Sequence, residues 1–276
     1  MITWLRLAIG LGPFSKWALL FLGCLLGAGL MVAWTQRNPT ALRWRLRLLY
    51  YPSAMGASFF ALGEAVPALG SPLVDGMLLG WDRALFGETP AVWFQSWNGS
   101  WLNDFLMLGY LFFFYYLIMG PADYCVRDLP RFRQCIVGLF TLYGLGFLSY
   151  TLLPAGGPHR WMHFETPLNG PLVIPWTLAT VNDGSNRVDV FPSLHFGVTF
   201  YLLVFDWWHR RRRFWLFAAP CLVMWSATVL LRFHYLVDLI GGLAVALIGL
   251  VVAWNFGHEA GEERVQSEKS RRARTD

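Results

Sequence analysis

The chain has 276 residues, of which 56% are hydrophobic and only 14% charged, with a mean hydropathy of +0.43. That composition excludes a soluble globular domain and points to a polytopic helical membrane protein, because a spanning helix needs about 20 mainly apolar residues. The net charge of +5 does not indicate nucleic-acid binding: the basic residues cluster beside the apolar stretches, where a topology signal accounts for them.

In chain order, residues 1–16 read as an interfacial helix or a disordered lead. Apolar spans are expected at 17–34, 51–70, 103–121, 134–153, 192–208, 214–231 and 234–254. The first is long for a secretory signal and shows no small-residue cleavage site, so it reads as an uncleaved anchor. Segment 39–49 sets Arg43, Arg45 and Arg47 between Trp44, Leu46 and Leu48, the pattern of a short interfacial helix. Glu64 and Pro67 interrupt the second span. Stretches 71–102 and 154–191 read as loops, with a turn at Asn182-Asp183-Gly184 and a sequon at Asn98-Gly99-Ser100. From 257 the chain is polar and charged, the composition of a disordered tail. Cys24, Cys125, Cys135 and Cys221 have no metal-type spacing and fall in spans or near the basic face, which disfavours a structural disulfide. The expected fold is an all-α polytopic membrane bundle. It comprises an anchor and basic segment (1–50), a six-helix catalytic core (51–256) and a tail (257–276).

Orientation follows from Lys and Arg. Segments 35–47, 122–133, 209–213 and 257–276 hold 16 of them and share one face. The other face has five, namely Arg6, Lys16, Arg83, Arg160 and Arg187, and Arg232 sits in the turn between the sixth and seventh spans. The positive-inside rule places the C-terminus in the cytoplasm and the loops 71–102 and 154–191 outside, with the N-terminus outside as well.

Two polar constellations stand out against this apolar background. Phe191-Pro192-Ser193-Leu194-His195 opens the fifth span, and Arg232-Phe233-His234-Tyr235-Leu236-Val237-Asp238 opens the seventh, both on the outer face. Ionisable groups at such positions cost a few kcal/mol and mark functional sites. His234 and Asp238 are four residues apart, so a helix puts them on one face with Asp238 about one turn (~6 Å) deeper. The carboxylate can accept one imidazole proton and leave the other nitrogen nucleophilic. His234 is then the candidate nucleophile on phosphorus, and His195 the candidate general acid and base. Arg160, Arg187 and Arg232 are candidate ligands of the phosphoryl oxygens, and with three of them no metal or other cofactor is required. His159, His163, His195, His234 and Asp238 are numerous enough for zinc, but form no compact zinc motif. Asp82-Arg83 reads as a loop turn or ion pair rather than as catalytic. Tyr110, Tyr115 and Tyr116 read as packing or interfacial residues.

These residues resemble the type 2 phosphatidic acid phosphatase superfamily, in particular its inositol-phosphorylceramide-synthase-like branch. That superfamily carries, in outline, Lys-x6-Arg-Pro, Pro-Ser-Gly-His and Ser-Arg-x5-His-x3-Asp. The second is similar to Pro192-Ser193-Leu194-His195, with Leu as in the synthase-like branch, and the third to His234-Tyr235-Leu236-Val237-Asp238. The resemblance implies His234 as nucleophile, Asp238 as its partner and His195 as acid/base. Lys-x6-Arg-Pro is absent, and the Ser-Arg pair would fall at Ala227-Thr228. The arginine assignments therefore do not come from the family. The implied activity is metal-independent transfer from a lipid phosphate or phospholipid through phosphohistidine, resolved by water or by an alcohol. Bacterial inner membrane is the expected location. A lipid-binding protein without catalysis and a structural subunit are the competing readings. The lipid and the oligomeric state stay open.

Overall fold

The structure, a computed structural model, describes the backbone of residues 1–97 and 99–272 and the side chains of 1–96 and 99–257. Asn98, the sequon's acceptor, and 273–276, the end of the expected tail, lie outside the described residues. Among those described there is no strand. The helices are α1 (Ile2–Leu11), α2 (Lys16–Arg37), α3 (Ala41–Ala68), α4 (Asp75–Phe86), α5 (Pro90–Trp93), α6 (Ser100–Arg127), α7 (Leu129–Leu152), α8 (Pro158–Trp161), α9 (Ile174–Gly184), α10 (Leu194–His209), α11 (Arg211–Leu230) and α12 (Leu236–Arg272). Among the described residues, five are long and apolar enough to cross a membrane: α2, α6, α7, α11 and the Leu236–Gly257 part of α12. The chain is an all-α polytopic bundle, an integral membrane protein.

The two other expected spans are α3 and α10. At 16 residues α10 is short, and it is sheathed by α6, α7, α11 and α12. Segment 39–49 is not a separate interfacial helix. It forms the first turns of α3, where Thr40 Oγ1 accepts from Arg43 N at 3.2 Å and no breaker parts Leu49 from Tyr50. Pro52 and Pro67 lie inside this helix. Segment 71–102 is not simply a loop either, since it contains α4. Asp75, Leu78 and Asp82 are all buried on that helix. Their spacing is helical, but two of the three inward residues are carboxylates, so an apolar-periodicity reading passes over them. Likewise α12 continues as a helix to Arg272, through most of the segment whose composition reads as disordered.

Helix ends gather at two poles. Arg6 Nε donates to Thr151 O at 2.9 Å, which ties α1 to the pole that holds segments 69–97, 153–193 and 231–235. Arg45 Nε donates to Cys125 O at 2.9 Å at the opposite pole, where the basic segments 35–47, 122–133 and 209–213 meet. The basic pole is fastened by Asp206. One of its oxygens accepts from Tyr124 OH at 2.8 Å and Arg213 Nη2 at 2.5 Å, the other from Tyr116 OH at 2.7 Å and Arg213 Nε at 2.6 Å. A buried charge needs this degree of pairing.

At the centre α10 crosses α12 almost backbone to backbone. A Cβ on Gly197 would lie 2.9 Å from Gly242 O, and one on Gly242 would lie 2.5 Å from Ser193 O. Small residues at such a crossing are what let membrane helices approach this closely. The contact lies about one turn into α10 and nearly two into α12, and so it sets the separation of the residues at their tips.

Candidate active site

His195 and His234 meet above that crossing. Ser193 Oγ caps α10 by accepting from Phe196 N at 3.3 Å, which places His195 in the first turn with its ring inward. Leaving α11, Arg232 adopts a left-handed backbone (φ 67°). The N–H groups of Phe233 and His234 then both donate to Thr228 O, at 3.1 and 2.9 Å. Thr228 stands where the superfamily outline carries an arginine, and here its carbonyl shapes the turn that presents His234. Ser193 N donates to Asp238 O at 2.9 Å, joining the two motifs directly.

Two buried aspartates of α4 brace this turn. Asp82 accepts from Val237 N at 2.9 Å and Leu236 N at 3.1 Å, and from Thr89 Oγ1 at 2.5 Å. It therefore caps α12 from outside, a carboxylate at the positive end of a helix. It is neither a turn residue nor an ion-pair partner; its neighbour Arg83 pairs with Glu88 at 3.0 Å. Asp75 accepts from Gly156 N and Gly157 N at 2.9 and 2.8 Å and from Tyr235 OH at 3.1 Å. It fixes the 154–157 loop to the start of α12.

The histidines form a chain of polar contacts whose proton order is assigned from its Asp238 end. Asp238 Oδ2 accepts from Tyr235 N at 2.8 Å and faces His234 Nδ1 at 3.2 Å. With a carboxylate there, His234 carries its proton on Nδ1 and leaves Nε2 unprotonated. Nε2 stands 3.3 Å from His195 Nδ1, which must then be the donor. His195 Nε2, 2.8 Å from Tyr110 OH, in turn accepts the phenol's proton. Every hydrogen along Tyr110, His195, His234 and Asp238 thus points toward Asp238. His234 is in the turn between spans, and burial lowers its pKa to about 4 despite the opposing charge of Asp189. It is neutral at physiological pH.

These rings open onto a narrow cleft lined by Tyr110, Gly156, His159, Asn182, Asp189 and Phe233 as well as the two histidines. His159 has its pKa lowered to about 4, first by burial and then by Arg160. The arginines are placed differently from one another. Arg160 is exposed at the rim, with Nη2 donating to Asn182 O at 3.1 Å and within electrostatic range of Asp189 and Arg187. Arg187 is exposed beside it, its N–H donating to Ser185 Oγ at 3.0 Å. Arg232 turns away from the cleft, lying over the Phe164 ring at 4.1 Å with Nη2 donating to Thr166 Oγ1 at 3.3 Å. Its carbonyl accepts from His159 N at 2.9 Å. Among the described residues no three His, Cys, Asp or Glu side chains converge as a metal site requires.

Sequence reasoning missed two members of this site. Tyr110 looked like one more aromatic in an apolar helix, and nothing in sequence spacing relates α6 to α10. Asp189 did leave a signal, an isolated acid in the apolar run that precedes Phe191-Pro192-Ser193-Leu194-His195.

A family model described as the PAP2 superfamily matches residues 76–252. No curated protein and no solved structure matches. Members of that superfamily are phosphoesterases. The matched stretch runs from α4 to α12 and takes in every residue of the cleft named above.

Proposed function

Because the chain belongs to the PAP2 superfamily, we propose that it is a lipid phosphate phosphatase or phosphotransferase that works through a phosphohistidine on His234. The observation that carries this reading is the Asp238–His234–His195 chain, which leaves His234 Nε2 unprotonated and facing His195 at the cleft. Nε2 attacks phosphorus and the ester P–O bond breaks. Substrate phosphate, being anionic, draws a proton onto His195 as it binds, and His195 passes that proton to the leaving oxygen. Arg160, with Arg187 beside it, is the cation we assign to the phosphoryl oxygens. Arg232, the third arginine expected there, holds the His159 loop instead. Water then releases phosphate, or an alcohol takes it.

The histidine pole faces outside and the basic pole the cytoplasm, by the excess of Lys and Arg at the latter. In a bacterial inner membrane the cleft would then be periplasmic. The core runs from α3 to residue 256, with α1 and α2 as an added anchor. Leu194 and the His234-Tyr235 pair support the inositol-phosphorylceramide-synthase-like branch, and with it headgroup transfer as the alternative outcome of the second step.

The test is turnover of detergent-purified protein on a panel of lipid phosphates and phospholipids beside H234A, with free phosphate and lipid products both followed. His234-dependent phosphate release identifies a phosphatase. A headgroup-exchanged lipid without free phosphate identifies a synthase. Equal behaviour of wild type and H234A favours a lipid-binding protein without catalysis.

A further inference from the structure

Asp189 shares the cleft with both histidines. Its Oδ1 accepts from Ser185 Oγ at 2.9 Å, and it lies within electrostatic range of His234, Arg160 and Tyr110. Burial raises its pKa above the usual carboxylate range, against hydrogen bonds from Ser185 and from its own backbone N–H and the nearby charge of Arg160.

A bare carboxylate repels phosphoryl oxygens, so this position suits an oxygen that brings a proton. In the resting site His195 Nε2 faces Tyr110 and Nδ1 faces His234. The Asp189 carboxylate accepts from Ser185 Oγ and from its own N–H, and an ionised carboxylate has lone pairs beyond those two. Asn182 Oδ1 is on the same wall, buried and without a hydrogen-bond partner among the described residues. Two acceptors side by side match the two protons of water, whereas a simple alcohol brings one.

We propose that Asp189 is the general base of the second half-reaction and binds, with Asn182 Oδ1, the water that attacks the phosphohistidine. This rests on His234 being the phosphorylated residue. The water oxygen forms the new O–P bond and the N–P bond breaks, its electron pair returning to His234 Nε2. One water proton passes to Asp189, which then gives it to the departing phosphate or to solvent. His195 serves as the acid of the first half-reaction.

The experiment is rapid quench with [32P]phosphatidic acid in detergent micelles. We expect D189N to release diacylglycerol in a burst and to accumulate base-stable, acid-labile label on the protein, with dephosphorylation slowed about 10²-fold. D189E should turn over without accumulating label, and formate should restore part of the lost dephosphorylation in D189A. Equal slowing of both half-reactions in D189N, with no label above wild type, overturns the assignment even if H234A abolishes turnover. Failure of both D189E and formate to restore dephosphorylation also overturns it. Wild-type turnover by H234A would instead remove the phosphohistidine reading on which the assignment rests.

Discussion

Replacing Gly242 by alanine should separate the two halves of the site without touching either. The added Cβ would stand 2.5 Å from Ser193 O, and ordinary contact begins at 3.4 Å. Since a packed interior has little slack, α10 and α12 must part by about 0.9 Å there. Ser193 is two residues before His195, and Gly242 is one helical turn beyond Asp238. Most of the displacement therefore reaches the 3.3 Å contact between the histidines. A misplacement of about 1 Å costs on the order of 10²-fold in rate. Overpacking costs about 1–3 kcal/mol, which lowers the melting temperature by roughly 2–10 °C for a protein of this size. The assay is kcat/KM for phosphate release alongside thermal unfolding in the same detergent. A G242A protein that stays within twofold of wild type in kcat/KM would show that the crossing does not set the histidine separation.

Other consequences follow from single contacts. D82A removes the outside cap of α12 and strands two backbone donors; unfolding should be easier by about 3 kcal/mol, measured by thermal melts, and D82N, which keeps an acceptor, should lose less. Y110F removes the phenol that faces His195 Nε2 and should lower kcat about tenfold with a smaller change in KM, checked by steady-state kinetics. D206A removes one of the two carboxylates on Arg213, Asp123 remaining at 2.8 Å, and strands the Tyr116 and Tyr124 hydroxyls; it should destabilise by about 3 kcal/mol, and the D206A/R213M pair should recover part of that. Both would leave kcat of the folded fraction intact, because they lie at the opposite pole. Finally, burial holds His159 neutral in the fold with a pKa of about 4, against an ordinary 6.5. The unfolded chain binds that proton first, so stability should decline as pH falls from about 6.5 and level off below about 4. H159Q should show a shallower decline in melts run between pH 7.5 and 4.

The long helices could be read from the sequence because lipid demands unbroken apolar stretches, and that demand leaves a plain record in composition. The His195 and His234–Asp238 pairings were legible for a related reason: ionisable groups in apolar surroundings are conspicuous. What did not show was polar structure that serves a backbone. Asp75 and Asp82 look like loop residues because their partners are N–H groups of Gly156, Gly157, Leu236 and Val237, and no residue type records a backbone donor. Arg232 shows the converse difficulty. Its proximity to His234 in sequence suggested a phosphate ligand, but a left-handed turn sends the side chain onto Phe164. Tyr110 depends on the rotation of α6 about its own axis, which an all-apolar helix face does not encode.

The most direct measurement of the central claim is to quench the wild-type protein during turnover of a radiolabelled lipid phosphate and locate any bound phosphate by mass spectrometry, with H234A and chelator-treated samples in parallel. Acid-labile phosphate is expected on His234 and none on H234A, with turnover that persists in chelator. Undiminished turnover by H234A, or loss of activity in chelator that zinc restores, would contradict that claim.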